Sequence, residues 1–117
     1  MQSAARVAIF DHLSVLGDPV RCRVVRLLEE HELTVSELCE VLQMPQSSVS
    51  RHLKLLGDDG WLSSRRDGTS RLYSVSADAL DTGARRLWPI LREQLGALPA
   101  AGHDARRFCC RRRRKPA

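Results

Sequence analysis

Residues 45–56, PQSSVSRHLKLL, form the stretch of this chain whose side-chain types and spacing most clearly suit a chemical task. If the stretch is a helix, one side is apolar and can pack on a core: Val49, Leu53 and Leu56. The opposite side carries hydroxyl groups and cations without a carboxylate: Ser47, Ser50, Arg51 and Lys54. Such groups bind DNA phosphates and base edges, so the pattern predicts a helix for a DNA major groove. By itself, the stretch is equally compatible with an ordinary amphipathic surface helix.

The residues before this stretch predict the elements that position it. Asp18 is suited to cap a helix and Pro19 to occupy its first position, so we expect a helix over 19–30. A capping box beginning at Thr34 predicts a second helix over 35–42. The following Gln-Met-Pro forms a tight turn, because proline disfavours helical geometry in the residue before it. A short helix, a turn and a polar-faced helix are typical of a helix-turn-helix.

The residues after the stretch predict a cationic β-hairpin. One strand begins at Trp61, and residues 71–75 alternate as a second strand. Between them, Arg-Asp-Gly-Thr is a hairpin turn signal, with Asp-Gly as its centre. Three arginines flank the tip: Arg65, Arg66 and Arg71. A cationic hairpin directly after such a helix is typical of the wing of a winged helix-turn-helix.

The first and last helices carry more apolar surface than a small core needs. The first, over 3–16, is apolar on two sides, and the last, over roughly 78–97 and capped by Ser76 or Asp78, has a sustained apolar stripe. Pro89 predicts a kink or break in the last helix. We therefore expect the two helices to form a homodimer interface through one set of residues: Ile9, Phe10, Leu13, Leu87, Trp88, Leu91 and Leu95.

The predicted fold is mainly α with a small β-hairpin: a winged helix-turn-helix of about five helices and a two-stranded wing. Residues 1–98 would form this domain, and residues 99–117 a basic tail without fixed structure. The net charge is +5, but residues 104–117 hold seven of the 19 basic and one of the 14 acidic residues. Residues 1–103 therefore carry 12 basic and 13 acidic residues, so the positive charge of the globular part is local.

Composition also limits the compartment. No apolar run approaches the roughly 20 residues of a membrane span, and the N-terminus lacks the pattern of a cleaved signal. We therefore expect a cytoplasmic protein without a membrane partner, whose four cysteines are reduced thiols.

The segment from about Leu13 to Val75 resembles the ArsR/SmtB family of bacterial transcriptional repressors. The resemblance rests on the GDPxR helix start at Gly17, the ELTVSEL segment, the QSSVSRHLKLL helix and the winged hairpin. It implies a cytoplasmic, nucleoid-associated homodimer that binds an imperfect palindrome in double-stranded DNA and is released by an inducer. The same segment is similar to the N-terminal part of longer family members fused to a methyltransferase domain.

Carried onto this sequence, the resemblance implies one set of contacts in the groove: Gln46, Ser47, Ser48, Ser50, Arg51, His52 and Lys54. Residue chemistry agrees, since Gln46 can pair bidentately with adenine and Arg51 suits guanine or phosphate. His52 lies at the margin of the apolar side, so a packing histidine is as good an interpretation as a DNA contact. Arg65, Arg66 and Arg71 would touch the DNA backbone or minor groove.

The signal that such a repressor would sense is open. Family metal sensors carry Cys-x-Cys in the third helix, whereas this chain has only Cys39 there, and its last helix has Asp78 and Asp81 without a histidine. One alternative is a thiophilic site for arsenite or a similar ion at Cys109 and Cys110, with or without Cys39. A thiol oxidation switch is another, and cysteines that only fill space are the third.

Two other classes of protein remain to be weighed against a DNA-binding repressor. One is a winged-helix protein-interaction module or regulatory domain that does not itself bind DNA, and the cationic helix and wing argue against it. The other is an enzyme. Ser47, Ser48 and His52 could mimic a Ser/His pair, but they share one helix and lack an acid partner, so no enzymatic activity is expected.

Overall fold

The computed structural model describes residues 7–114, which form six α-helices and one two-stranded antiparallel sheet. In chain order these are α1 (Ala8–Leu16), α2 (Pro19–Glu30), α3 (Val35–Leu42), α4 (Gln46–Asp58), β1 (Leu62–Asp67), β2 (Ser70–Val75), α5 (Thr82–Leu95) and α6 (Pro99–Arg114). A short 3₁₀ turn, Ala77–Ala79, joins the hairpin to α5. The predicted winged helix-turn-helix is confirmed, with one helix more than expected.

The core lies where α2, α3 and α4 pack together beneath the hairpin. Its largest fully buried side chain is Trp61, which directly precedes β1. The apolar side predicted for α4 is buried around it, together with residues of α2 and α3: Val24, Val25, Leu28, Leu38, Val41, Val49, Leu53 and Leu56. This packing fixes the rotation of α4, because a rotated helix would lose the burial of its apolar side.

Local capping fixes the ends of the helix-turn-helix as the sequence predicted. The Asp18 side chain accepts a hydrogen bond from the Val20 N–H at 2.7 Å, and the Thr34–Glu37 capping box is formed in both directions. The turn between α3 and α4 depends on Gln43, whose φ of 57° and ψ of 49° are left-handed. This conformation ends α3 and redirects the chain within three residues.

The wing has a regular register, with a turn one residue later than the sequence suggested. Its pairs run from Leu62↔Val75 to Asp67↔Ser70, so the two turn residues are Gly68 and Thr69 rather than Asp-Gly. Gly68 has a φ of +65°, which suits the first position of a type II′ turn. At the other end, the backbones of Leu33 and Tyr73 exchange hydrogen bonds of 3.2 and 2.8 Å. The hairpin is therefore attached to the loop between α2 and α3.

The boundaries of three helices differ from prediction. The structure has α1 beginning at Ala8, while residues 3–6 of the predicted helix lie outside the described part. Helix α4 continues through Gly57 to Asp58, and the chain turns away at Gly60, which has a φ of +91°. Helix α5 begins only after Asp81, whose side chain accepts from the Ala84 N–H, so neither Ser76 nor Asp78 is its cap.

The break expected at Pro89 does not occur, because α5 is continuous from Thr82 to Leu95. Pro89 removes one backbone donor, but buried Trp88 and Leu95 anchor the helix to the core near the proline and at its C-terminal end. The predicted break is therefore wrong, since tertiary packing outweighs the loss of one helical hydrogen bond, while a kink at Pro89 stays a prediction.

The largest correction concerns residues 99–114, which were expected to lack fixed structure and instead form α6. Asp104 is buried and accepts two hydrogen bonds from Arg23 of α2, each 2.7 Å long. Arg107 donates to the Val41 carbonyl, and Arg111 pairs with glutamates of α3. The arginine run suggested a solvated tail because its acidic partners are on other helices. Within residues 7–114, no helix is long and apolar enough to cross a membrane.

Candidate nucleic-acid interface

The polar side of α4 is open to solvent along the helix. Five of its predicted contact residues are exposed: Gln46, Ser47, Ser50, Arg51 and Lys54. Ser48 is half-buried at the margin. The first turn carries no acidic residue, and the Asp58 carboxylate at the far end pairs with Lys54 at 3.2 Å. Both partners of that pair are exposed, so it holds Lys54 only weakly.

His52 is the predicted contact residue that lies inside the fold. It is 6% exposed, and its Nδ1 accepts a hydrogen bond from the Arg21 guanidinium at 3.2 Å. Burial lowers the pKa of His52, and the nearby charges of Arg21 and Arg51 lower it further, although Asp18 opposes them. His52 is therefore a neutral packing residue, and its expected contact with DNA is wrong.

Arg21 positions α4 through this histidine. Besides the bond to His52, its Nε donates to the Val15 carbonyl at 2.5 Å, and its guanidinium lies 3.6 Å from Asp18. One side chain thus joins the end of α1, the start of α2 and the middle of α4. Sequence reasoning missed this role of Arg21, although the residue is the arginine of the GDPxR motif, because its partners Val15 and His52 lie on other helices.

The wing presents two arginines directly opposite each other. Arg66 and Arg71 are cross-strand partners, and both are exposed. Like charges in this arrangement destabilise a hairpin unless an anion lies between or above them. Arg71 also donates to the Ser64 hydroxyl at 3.0 Å, which orients it without neutralising its charge. The pair therefore concentrates positive charge on one exposed part of the wing.

Arg65 differs from the other two wing arginines. Its guanidinium forms a bidentate pair with Glu32, at 2.9 and 2.8 Å, and this pair raises the pKa of Arg65 and lowers that of Glu32. A phosphate would have to compete with the Glu32 carboxylate for this cation. We therefore expect Arg65 to orient the wing through Glu32 more than to bind DNA.

The predicted dimer residues divide into two groups. Phe10 is 68% exposed and Leu13 is also exposed, while three others are half-buried: Ile9, Leu87 and Leu91. Trp88 and Leu95 are buried inside the protomer, where the Trp88 ring packs edge-on to Trp61 and its N–H donates to Glu29. Assigning Trp88 and Leu95 to a subunit interface was wrong, because the single chain already uses them as core.

Ile90 belongs to the exposed apolar surface and was not predicted, since it lies off the apolar stripe of the last helix. Its side chain is 62% exposed. Together with Phe10 and Leu13 it leaves large apolar side chains on both α1 and α5 in water. Such exposed apolar side chains are the kind of surface that a partner subunit buries.

Cys39 does not join Cys109 and Cys110 in one metal site. Cys109 and Cys110 are exposed neighbours on α6, whereas Cys39 is half-buried, and burial raises its thiol pKa. Among residues 7–114, no three His, Cys, Asp or Glu side chains form a possible metal site. A three-cysteine site that includes Cys39 is therefore not formed in this conformation.

Similarity to known proteins agrees with this geometry. Residues 18–64 match the family described as bacterial regulatory protein, arsR family. The arsenical resistance operon repressor of Staphylococcus xylosus is 35% identical over 69 residues, which are 59% of this chain and 66% of that protein. A solved structure, described as a possible transcriptional regulator for arsenical resistance, is 33% identical, with a TM-score of 0.59, over 69% of this chain and 83% of the other. This chain belongs to the ArsR family.

A second solved structure extends the likeness in fold. NolR from Sinorhizobium fredii has a TM-score of 0.66 and 26% identity, and the superposition covers 84% of this chain and all of the other. The chain spans just under two thirds of the length of the S. xylosus repressor. The likeness to methyltransferase-fused members stays a prediction.

Proposed function

We propose that this ArsR-family chain is a homodimeric transcriptional repressor that binds double-stranded DNA in the cytoplasm and is released by an inducer. The exposed polar side of α4 carries the proposal, because its donors and cations are rigidly presented by a helix whose other side is buried. A winged-helix module that binds only proteins would have no use for such a face.

Each part of the interface has its own task. We assign base contacts to Gln46 and Arg51, whose amide and guanidinium can pair bidentately with adenine and guanine. The serines bring the helix close to the DNA, and the opposed Arg66 and Arg71 bind phosphate, which would relieve their mutual repulsion.

The dimer is proposed from the apolar surface of α1 and α5. Burying Phe10, Leu13 and Ile90 against a second copy would remove them from water and give an assembly with two copies of α4. Two copies of α4 related by a twofold axis would then match two half-sites of an imperfect palindrome.

Selection of bound duplexes from a random library tests the proposal. We expect one enriched motif with twofold symmetry, and Arg51→Ala should weaken its binding by about 5- to 150-fold, the loss of one bidentate base contact. Arg106→Ala removes the same charge from an exposed position of α6 and is the matched control. No enriched motif, or equal losses in the two variants, would contradict the assignment of α4.

For the inducer, we propose a thiophilic ion such as arsenite bound by Cys109 and Cys110. What supports this is that both thiols are exposed on a helix that contacts α3. Arsenite should release the selected duplex from the native chain but not from a variant with serine at both positions. Release that is identical in the variant would mean that the inducer acts elsewhere.

A further inference from the structure

His12 lies where three helices meet, and the proposed DNA interface does not include it. Its side chain is on α1 and is 5% exposed. The ring Nδ1 is 2.7 Å from an oxygen of Asp59, and Nε2 is 2.9 Å from an oxygen of Asp81. Both nitrogens of one buried imidazole therefore face carboxylates.

The two carboxylates belong to ends of different helices. Asp59 is the C-cap residue of α4, and Asp81 is the N-cap residue of α5, where its other oxygen accepts the Ala84 N–H at 2.8 Å. His12 therefore joins α1 to the end of the DNA-binding helix and to the start of the second dimer helix. Among the described residues, it is the His12 side chain that hydrogen-bonds both the end of α4 and the start of α5.

The contacts of the ring favour its doubly protonated form. An ionised carboxylate only accepts hydrogen bonds, so both ring nitrogens must donate, and only an imidazolium has two donors. The Asp59 oxygen also accepts from the Trp61 indole N–H at 2.9 Å, which fixes its position. A neutral ring would turn one lone pair toward a carboxylate and lose that bond.

The charges around the ring favour the proton. The titratable groups facing it are Asp59 from α4 and Asp81 from α5, while the buried Trp61 ring approaches edge-on with centroids 5.6 Å apart. Burial lowers the pKa of His12, but the hydrogen bonds and charges of the two aspartates outweigh it. The pKa is therefore raised above its ordinary value of 6.5.

We propose that His12 is a protonated clamp that holds α4 against the two dimer helices, so that loss of its proton loosens α4 and weakens DNA binding. The inference rests on the proposed function, since it assigns DNA to α4 and dimerisation to α1 and α5. In such a dimer the distance between the two α4 helices must match the half-site spacing, and a clamp between these elements fixes that distance. His12 is thus a positioning residue that touches no DNA.

The sign of the pH effect follows from the raised pKa. The folded chain binds this proton more tightly than the unfolded chain does, so the clamp stabilises fully below about pH 6.5, the unfolded value. Its contribution is lost as the pH rises through the higher folded value. His52 acts in the opposite direction and on the acid side, because its pKa is lowered.

The experiment compares the native chain with His12→Gln, and with His103→Gln, an exposed position of α6, as the matched control. Urea unfolding and affinity for the selected duplex are measured from about pH 5.5 to about pH 9. We expect native affinity to fall by at least about fivefold as the pH rises, as for a typical coupling between sites. His12→Gln should have low affinity throughout and a flat profile on the alkaline side, while His103→Gln should follow the native chain.

A second variant covers the case in which His12→Gln does not fold. Asp81→Asn keeps an oxygen that can cap α5 but presents an amide donor or a neutral oxygen to His12, so it should fold and lose its affinity at lower pH than the native chain. Native and variant profiles that coincide would overturn the clamp. If no duplex binds at any pH, the proposed function fails separately. The stability measurements still decide whether the clamp exists, because the native chain should lose stability at alkaline pH and His12→Gln should not.

Discussion

The charged groups on the exposed side of α4 and at the wing tip are arranged in the opposite way to those that join helices inside the fold. On α4 and the wing tip, Arg51, Arg66 and Arg71 are exposed, and the pairing of Lys54 with Asp58 is between exposed partners. Behind them, Arg23 and Asp104 are paired in a largely buried bidentate contact. Buried pairs fix how helices sit on one another, whereas exposed cations remain available for an anion from outside.

The two buried histidines, His52 and His12, also differ in charge. His52 and His12 are 6% and 5% exposed, so burial alone does not separate them. His52 accepts a hydrogen bond from an arginine and is neutral, whereas His12 faces two carboxylates and is an imidazolium with a proton on each ring nitrogen. The partners of a buried histidine, more than its depth, therefore decide its charge.

The largest effect should come from breaking a buried pair. Asp104→Ala leaves Arg23 and Arg107 without their shared carboxylate, and we expect a loss of about 3 kcal/mol in the free energy of unfolding. Asp58→Ala removes a carboxylate from the exposed side and should cost less than about 0.5 kcal/mol. Urea denaturation of both variants measures the difference. Similar losses of unfolding free energy would mean that the buried pair contributes no more to stability than the exposed one.

A smaller effect is expected when His52 no longer titrates. The unfolded chain takes up a proton near pH 6.5 while the folded chain resists it, so native stability should fall as the pH drops below that value. His52→Asn keeps an acceptor near the position of Nδ1 without a titrating group. Its stability should fall less steeply than that of the native chain between about pH 6.5 and pH 5, where a tenfold difference in proton affinity corresponds to about 1.4 kcal/mol. If the stabilities of the native chain and of His52→Asn fall equally steeply over this pH range, His52 is not the neutral residue described above.

The smallest change in stability should come from Arg66→Ala. Removing one of two opposed cations relieves repulsion, so the free protein should become more stable by about 0.2–0.5 kcal/mol, while DNA binding weakens and its salt slope falls by about one. Thermal unfolding checks the gain in stability, and DNA binding at several salt concentrations checks the weaker affinity and the lower salt slope. Arg65→Ala is the matched control, and it should lower stability, because it breaks the pair with Glu32. A destabilised Arg66→Ala variant would mean that the wing is not built for an anion.

The parts that could be predicted from the sequence depend on neighbours along the chain. The Asp18 cap, the Thr34–Glu37 capping box and the second wing strand were predicted from local patterns, and all three form. The expected alternation of burial along β2 does not occur, because its first two residues are exposed and its last four are half-buried. The exposed side of α4 follows from helical periodicity in the same way. Two local patterns were misplaced. The turn of the wing moved by one residue, because a two-residue loop can be centred on either side of Gly68, and the cap of the last helix is Asp81 rather than Ser76 or Asp78.

What could not be predicted depends on residues far apart in sequence. His12 lies 47 and 69 residues from its two aspartates, and Arg23 lies 81 residues from Asp104, so no periodic signal links them. A basic run is typical of a solvated tail, yet Arg111 pairs with Glu37 of α3. Trp88 fits an apolar stripe, but a stripe does not indicate whether its own core or a second subunit covers it.

The backbone bridge between Leu33 and Tyr73 has a consequence for the entropy of binding. Because β2 is hydrogen-bonded to the loop before α3, the hairpin cannot swing freely about Trp61. The separation between α4 and the base of the wing is then set when the chain folds. Meeting a duplex would freeze few additional backbone torsions, so little of the favourable contact energy would be lost to ordering the protein. We expect a preorganised protein of this kind to discriminate sharply against duplexes whose groove width differs from that built-in separation.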